Sequence, residues 1–204
     1  MSVAARVRRE YAAEAERYDR RWAGYLRGSM ELLRPWMVEA PLGTLLDVGC
    51  GTAVVRDALR GWGAEPDRYV GVDPSAEMLG RAVGKGAHGA AAPAEALPFR
   101  DGSFDTVVSA SSFHYWPAPL DGVREMRRVL RPGGRLIVAD WARDFATMRV
   151  LDAFARATGH AFVRTYAEAE FRAILETVGL RVVRGRRARI GRMWGLWVVE
   201  ARKG

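Results

Sequence analysis

The chain has 204 residues, enough for one domain with a full core, and 49% of them are hydrophobic, which excludes disorder throughout. No apolar run reaches the ~20 residues of a membrane helix, and a single cysteine excludes an intrachain disulfide or a cysteine-rich metal site. The formal charge of +8 is nearly all arginine, with Lys85 and Lys203 the only lysines and no Asn or Gln, so it reads as coding bias more than as a basic face for nucleic acid.

In chain order, residues 4–38 have helical spacing, with Val7, Tyr11, Tyr18, Trp22 and Tyr25 recurring among charges. A break at "ERYDRRW" predicts two helices, with Pro35 near the end of the second or in the turn after it. The segment lacks the apolar core of a signal peptide, so a cytoplasmic location is expected. From residue 43 the pattern alternates. "GTLLDV" predicts a buried strand, "AVVRDALRGW" a helix and "RYVGVD" a second strand. "PSAEMLGRAV" predicts a helix starting at Pro74 or Ser75, and "HGAAA" a weak third strand. "FDTVVSAS" predicts a strong fourth strand, and "LDGVREMRRVLRPGG" a helix ended by Pro132 and two glycines. "RLIVADW" predicts a fifth strand, then helices over 144–158 and "AEAEFRAILETVG", then a hairpin of "LRVVRGRRARI" and "MWGLWVVEAR" through Gly191. The expected fold class is α/β: a doubly wound, mostly parallel seven-stranded Rossmann-like sheet with an antiparallel C-terminal strand and an N-terminal helical lid. One domain spans 1–204: lid 1–40, cofactor core 41–141, and substrate-side helices with the hairpin 142–204.

The stretch "LLDVGCGTA" puts Gly49 and Gly51 where the first strand gives way to a helix, the place where open parallel sheets bind ligands. Asp73 ends the second strand, placed to accept from both hydroxyls of a ribose. The third glycine of a dinucleotide fingerprint is missing, as is a Walker lysine. Asp47 before the turn repels a pyrophosphate and suits an ammonium and a sulfonium. The residues thus point to S-adenosylmethionine.

"LLDVGCGTA", "YVGVDPSAEML", "AEALPFRDGSFDTVVSASSFHYW" and "EMRRVLRPGGRLIVADW" resemble, in order and spacing, the class I S-adenosylmethionine-dependent methyltransferases. The small-molecule type that includes the ubiquinone and menaquinone biosynthesis enzymes is the subgroup they resemble most. The resemblance implies that Asp47 and the backbone of Gly49, Cys50 and Gly51 hold the methionine part of the cofactor. It gives Asp73 the ribose, Pro74 and Met78 the adenine faces, and Ala94 and Glu95 the adenine edge. It implies that Ser109 offers its carbonyl to the cofactor's amino group and that Tyr11 and Tyr18 close over the methionine end. Two positions depart from the family pattern. Ala53 stands where glycine is frequent, read here as favouring the following helix. Pro93 replaces an acid or amide that accepts from the adenine amino group.

His114, directly after the fourth strand, is the candidate base, against a structural role in the loop. Trp22, Tyr115, Trp116, Trp141 and Arg143 are candidates for the acceptor site, and Asp140 is expected beside them. With Phe113, Phe145 and Phe154, this aromatic surface suggests an apolar or aromatic small-molecule acceptor, methylated at O, N or C. No metal site is expected. The alternatives are an RNA methyltransferase and a non-enzymatic cofactor-binding scaffold; the protein is expected to be a monomer or homodimer. The basic run 181–192 reads as a solvated edge strand in preference to an RNA or phospholipid contact.

Overall fold

Short apolar runs alternating with amphipathic segments build one seven-stranded sheet in the computed structural model, which describes residues 17–158 and 164–204. Helices α1 (Tyr18–Arg21) and α2 (Ala23–Val38) precede β1 (Thr44–Val48), α3 (Val54–Gly61), β2 (Arg68–Asp73), α4 (Ala76–Gly84) and β3 (His88–Ala91). Then follow β4 (Phe104–Ala110), a 3-10 turn (Phe113–Tyr115), α5 (Pro119–Val129), β5 (Leu130–Trp141), α6 (Ala146–Thr158), α7 (Glu168–Thr177), β6 (Leu180–Ile190) and β7 (Trp194–Lys203). The strand order is β3-β2-β1-β4-β5-β7-β6. Strands β1 to β5 pair in parallel, and β7 runs antiparallel between β5 and β6. This is the expected doubly wound sheet with an antiparallel C-terminal strand.

Strand alternation divides the core between the two faces. Leu45, Tyr69, Val108, Ile137 and Val198 pack under α2 and α3 with Leu33, Met37 and Leu59. Leu46, Val72, Val107, Val138 and Trp197 pack under α5 and α7 with Met126, Phe171 and Leu175. Both faces are covered, so the central strands carry nearly continuous apolar runs.

Two local readings change, and Pro35 is where one of its two expected places puts it. Helix α5 ends at Val129, before the expected Pro132 stop, because Leu130 is already extended and pairs with Phe104. Arg131 precedes a proline and is biased the same way; residues 130–134 form an irregular lead into β5, whose regular pairing resumes at Arg135. Ala53 lies outside the following helix: it is the residue before α3, at φ +62° in the left-handed region. Its methyl group is therefore a backbone cost and not a helix-favouring choice. Pro35 sits inside the last turn of α2, which runs on to Val38. The expected helix before residue 17 lies outside the described residues.

Candidate cofactor site

The strand order reverses between β1 and β4, and a cleft opens beyond their carboxyl ends. The empty space it encloses, open solvent at its mouth included, is about 1070 Å³.

The turn after β1 is built to bring a ligand against the backbone. Gly49 has φ +74°, and a Cβ there would lie 2.3 Å from Ser112 Oγ. Only glycine satisfies both constraints. Gly51, at φ +53°, has open space where a Cβ would be, and it lines the cleft. The amides of this turn are spent inside the protein. Gly49 N and Cys50 N both donate to Val72 O, at 2.8 and 2.9 Å. Gly51 N donates to Asp73 Oδ2 at 2.9 Å. A phosphate cradle needs these N–H groups free; this turn does not offer them.

Asp47 is 1% exposed and lines the cleft. Its Oδ2 accepts from Tyr69 O–H at 2.5 Å, while its Oδ1 has no hydrogen-bond partner among the described residues. Burial pushes its pKa up to about 7; the Tyr69 bond pulls the other way, and neighbouring Asp73 adds to the rise. Asp73 accepts from Ser75 N at 2.8 Å through Oδ1 and from Gly51 N through Oδ2. Each oxygen keeps a lone pair for a ligand hydroxyl. Burial raises the Asp73 pKa too, and its two backbone bonds oppose the rise. Ser75 caps α4, accepting from Met78 N at 3.2 Å, which sets Pro74 and Met78 on the wall beside Asp73. Among the described residues the cleft wall carries three carboxylates, Asp47, Asp73 and Glu95, and no Lys, Arg or His. In a protein of net charge +8 this is a locally acidic site, suited to a cation.

The structure brings Tyr18, Asp47, Gly49, Cys50, Gly51, Asp73, Pro74, Met78, Ala94, Glu95, Tyr115 and Trp116 to this one cleft. Glu95 Oε1 also accepts from Ala118 N at 3.3 Å. Cys50 presents a buried thiol whose pKa is driven up by burial, with Asp47 and Asp73 adding to it. Tyr11 lies outside the described residues.

Other expected site residues do not line the cleft. Ser109 is fully buried within β4, and Ala110, Ser111 and Ser112 line the wall instead. His114 is 2% exposed and turned inward: its Nδ1 lies 2.6 Å from Asp140 Oδ1, and its ring stacks on Trp141 at 4.0 Å. Asp140 is occupied there, because Phe113 N and Trp141 N also donate to it, at 2.7 and 2.6 Å. Trp141 donates from Nε1 to Tyr25 Oη at 2.8 Å. Trp22 packs edge-on against Tyr25 and Trp194. Arg143 pairs with Glu170 at 2.5 Å. Phe113 is core, Phe145 fills the space over Gly195, and Phe154 points to solvent.

Several contributors carried no signal in the sequence. Leu26, Ser29 and Met30 of α2 reach the wall from the lid. Ser111 holds φ +57° with its Oγ 2.6 Å from Tyr25 Oη, so the lid helix fixes a strained turn at the mouth of β4. Thr52 donates to Asp19 at 2.6 Å, and Lys85 donates to Asp19 at 3.0 Å, which ties α1 to the cofactor side.

Comparison with known proteins agrees with this geometry. A family profile described as "Methyltransferase domain" matches residues 46–138, which span β1 to β5. A demethylmenaquinone methyltransferase of Mycolicibacterium vanbaalenii is 36% identical over 149 residues, 68% of this chain and 61% of that protein. Residues 46–138 carry a methyltransferase domain, of the class I S-adenosylmethionine-dependent type. The fold is shared with the putative methyltransferase solved with its Haloferax volcanii Trm112 activator, at TM-score 0.81, 20% identity and 95% and 97% coverage. It is also shared with magnesium protoporphyrin IX methyltransferase of Synechocystis with bound SAH, at TM-score 0.77, 18% identity and full coverage of both chains. The alignment with the Mycolicibacterium relative covers less than two thirds of that protein.

S-adenosylmethionine fits the methyltransferase domain's cleft on the structure's own terms. Its ammonium matches the unpartnered Asp47 Oδ1, and its ribose hydroxyls match the remaining acceptor sites of Asp73. The open space at Gly51 admits the backbone approach that its methionine part requires.

Proposed function

We propose that the chain transfers the sulfonium methyl of S-adenosylmethionine to a small, apolar or aromatic acceptor. The observation that carries this reading is the acidic cleft wall, three carboxylates and no cation among the described residues, around a turn whose amides are already satisfied. The cofactor supplies an activated methyl on a cationic sulfur, so the protein's task is positioning and exclusion of water. Asp47 and Asp73 bind and orient the two ends of the donor. Pro74 and Met78 flank its base, and Ala94 and Glu95 border it. Tyr18, Leu26 and Met30 from the lid face Ser111, Tyr115 and Trp116 across the remaining space, which makes an apolar acceptor chamber. Similarity to a demethylmenaquinone methyltransferase supports an apolar ring as acceptor. His114, bonded to Asp140 and stacked on Trp141, acts as a positioning residue for Tyr115 and the aromatic wall behind it.

The test is transfer of labelled methyl from S-adenosylmethionine into host metabolite extract, with and without nuclease. Label in solvent-extractable small molecules, untouched by nuclease, is the expected result. Label confined to nuclease-sensitive polymer would sink the small-molecule reading in favour of RNA.

A further inference from the structure

Helix α6 is apolar on two faces. Met148 and Ala155 point into the protein, as a core-facing stripe should. Ala146, Val150, Ala153, Phe154 and Ala157 recur at spacings of three and four on the outer face, and all five are exposed. Val150 is 71% exposed and Phe154 60%. A surface helix normally turns charged residues outward; here the only acid of α6, Asp152, is 1% exposed and accepts from Thr165. The exposed charges of α6 are Arg149 and Arg156, both on one border of the stripe. On the other border Thr147 donates to Met193 O at 2.8 Å, which seats the β6–β7 hairpin tip beside the helix. That tip adds Met193, 56% exposed, and exposed Arg192. Arg149, Arg189 and Arg192 have no carboxylate partner among the described residues, whereas Asp144 and Glu168 nearby are both tied to Arg187. The next residue after the tip, Trp194, packs on Tyr25 at 5.1 Å, and Tyr25 holds Ser111 on the cleft wall. The patch is thus continuous with the lid over the acceptor chamber.

We infer that the outer face of α6 and the β6–β7 tip form a docking surface for an anionic lipid bilayer. The occupant is chosen by charge: Arg156 pairs with the buried Asp152, but Arg149, Arg189 and Arg192 beside the apolar ridge lack a carboxylate partner and no acid is exposed on it among the described residues, which matches the interface of a negatively charged membrane. Phe154, Val150 and Met193 enter the headgroup boundary while the arginines meet lipid phosphates. The inference stands independently of the methyl-transfer reading, since docking requires neither cofactor nor acceptor.

The test is co-sedimentation of the full chain with phosphatidylcholine vesicles, with and without phosphatidylglycerol. Binding to the anionic vesicles, weakened by salt, is expected, with little binding to the neutral ones. Phe154→Asp and Val150→Asp should each weaken binding at least about tenfold, because each removes a buried apolar anchor. Val38→Asp, at an exposed site on α2, should leave it unchanged. No binding to anionic vesicles overturns the inference, as does binding indifferent to Phe154→Asp and Val150→Asp. A concentration-dependent dimer on gel filtration that Phe154→Asp dissolves would also overturn it, by showing that a second copy covers this face.

Discussion

Asp47 sits where burial and ligand charge make opposite demands on one carboxylate. With its pKa pushed up to about 7 by burial, it is partly protonated near neutrality in the empty protein. A cationic ligand binds the ionised form. Affinity for S-adenosylhomocysteine, measured by calorimetry, should therefore rise with pH toward about 7, by at most about tenfold per unit, and level off above it. Asp47→Asn should bind more weakly and lose this rise. Tyr69→Phe removes the hydrogen bond that holds the Asp47 pKa down, so the plateau should be reached at higher pH. The sign for stability is opposite. A folded-state pKa above the ordinary carboxylate value means the empty protein loses stability as pH climbs toward about 7, then levels. Thermal unfolding of the ligand-free protein that shows stability rising over that range would contradict the assignment of Asp47 as the titrating group.

The turn between β1 and α3 separates what glycine does for the fold from what it does for the ligand. Gly49→Ala meets both a left-handed backbone and a close contact with Ser112, and should cost about 2–4 kcal/mol of folding stability in denaturant titrations. Gly51→Ala meets only the backbone penalty, roughly 1–2 kcal/mol, because no described residue lies within 4 Å of the added methyl. Its methyl group enters the cleft instead, so cofactor affinity should fall much more than stability. If Gly51→Ala binds cofactor as the parent does, the turn is not the cradle. The sequence made this turn legible through its two glycines and the acid before them. It did not reveal the left-handed backbone at Ala53 and Ser111, because alanine and serine carry no conformational signature. Nor did it show that Asp140 gathers His114 inward, since strand-end position alone does not say which way a following side chain turns.

The order of strands and helices from residue 43 was legible because β1, β2, β4, β5 and β7 carry apolar runs and Gly, Pro or Asp mark most of the turns between them. The long-range ties were not. Glu200 on β7 is 2% exposed and lies between Arg135 on β5, at 3.0 Å, and Arg184 on β6, at 2.8 Å. Arg135 reaches on to Trp36 O at 2.7 Å, locking α2 to the sheet. In the sequence these are three charges among many. Glu200→Ala should leave Arg135 buried without its main partner and cost about 3–5 kcal/mol, read as a melting temperature lower by roughly 10 °C. A loss under about 1 kcal/mol would mean that the pair behaves like an exposed one.

The acidic cleft as a site for a cationic adenosyl donor is tested most directly by calorimetric titration of S-adenosylmethionine into the parent protein and Asp73→Ala. Saturable binding to the parent, weakened at least about tenfold by Asp73→Ala through loss of two charge-assisted hydrogen bonds, is the predicted result. No binding to the parent at roughly millimolar cofactor, or equal binding by both proteins, would contradict the account.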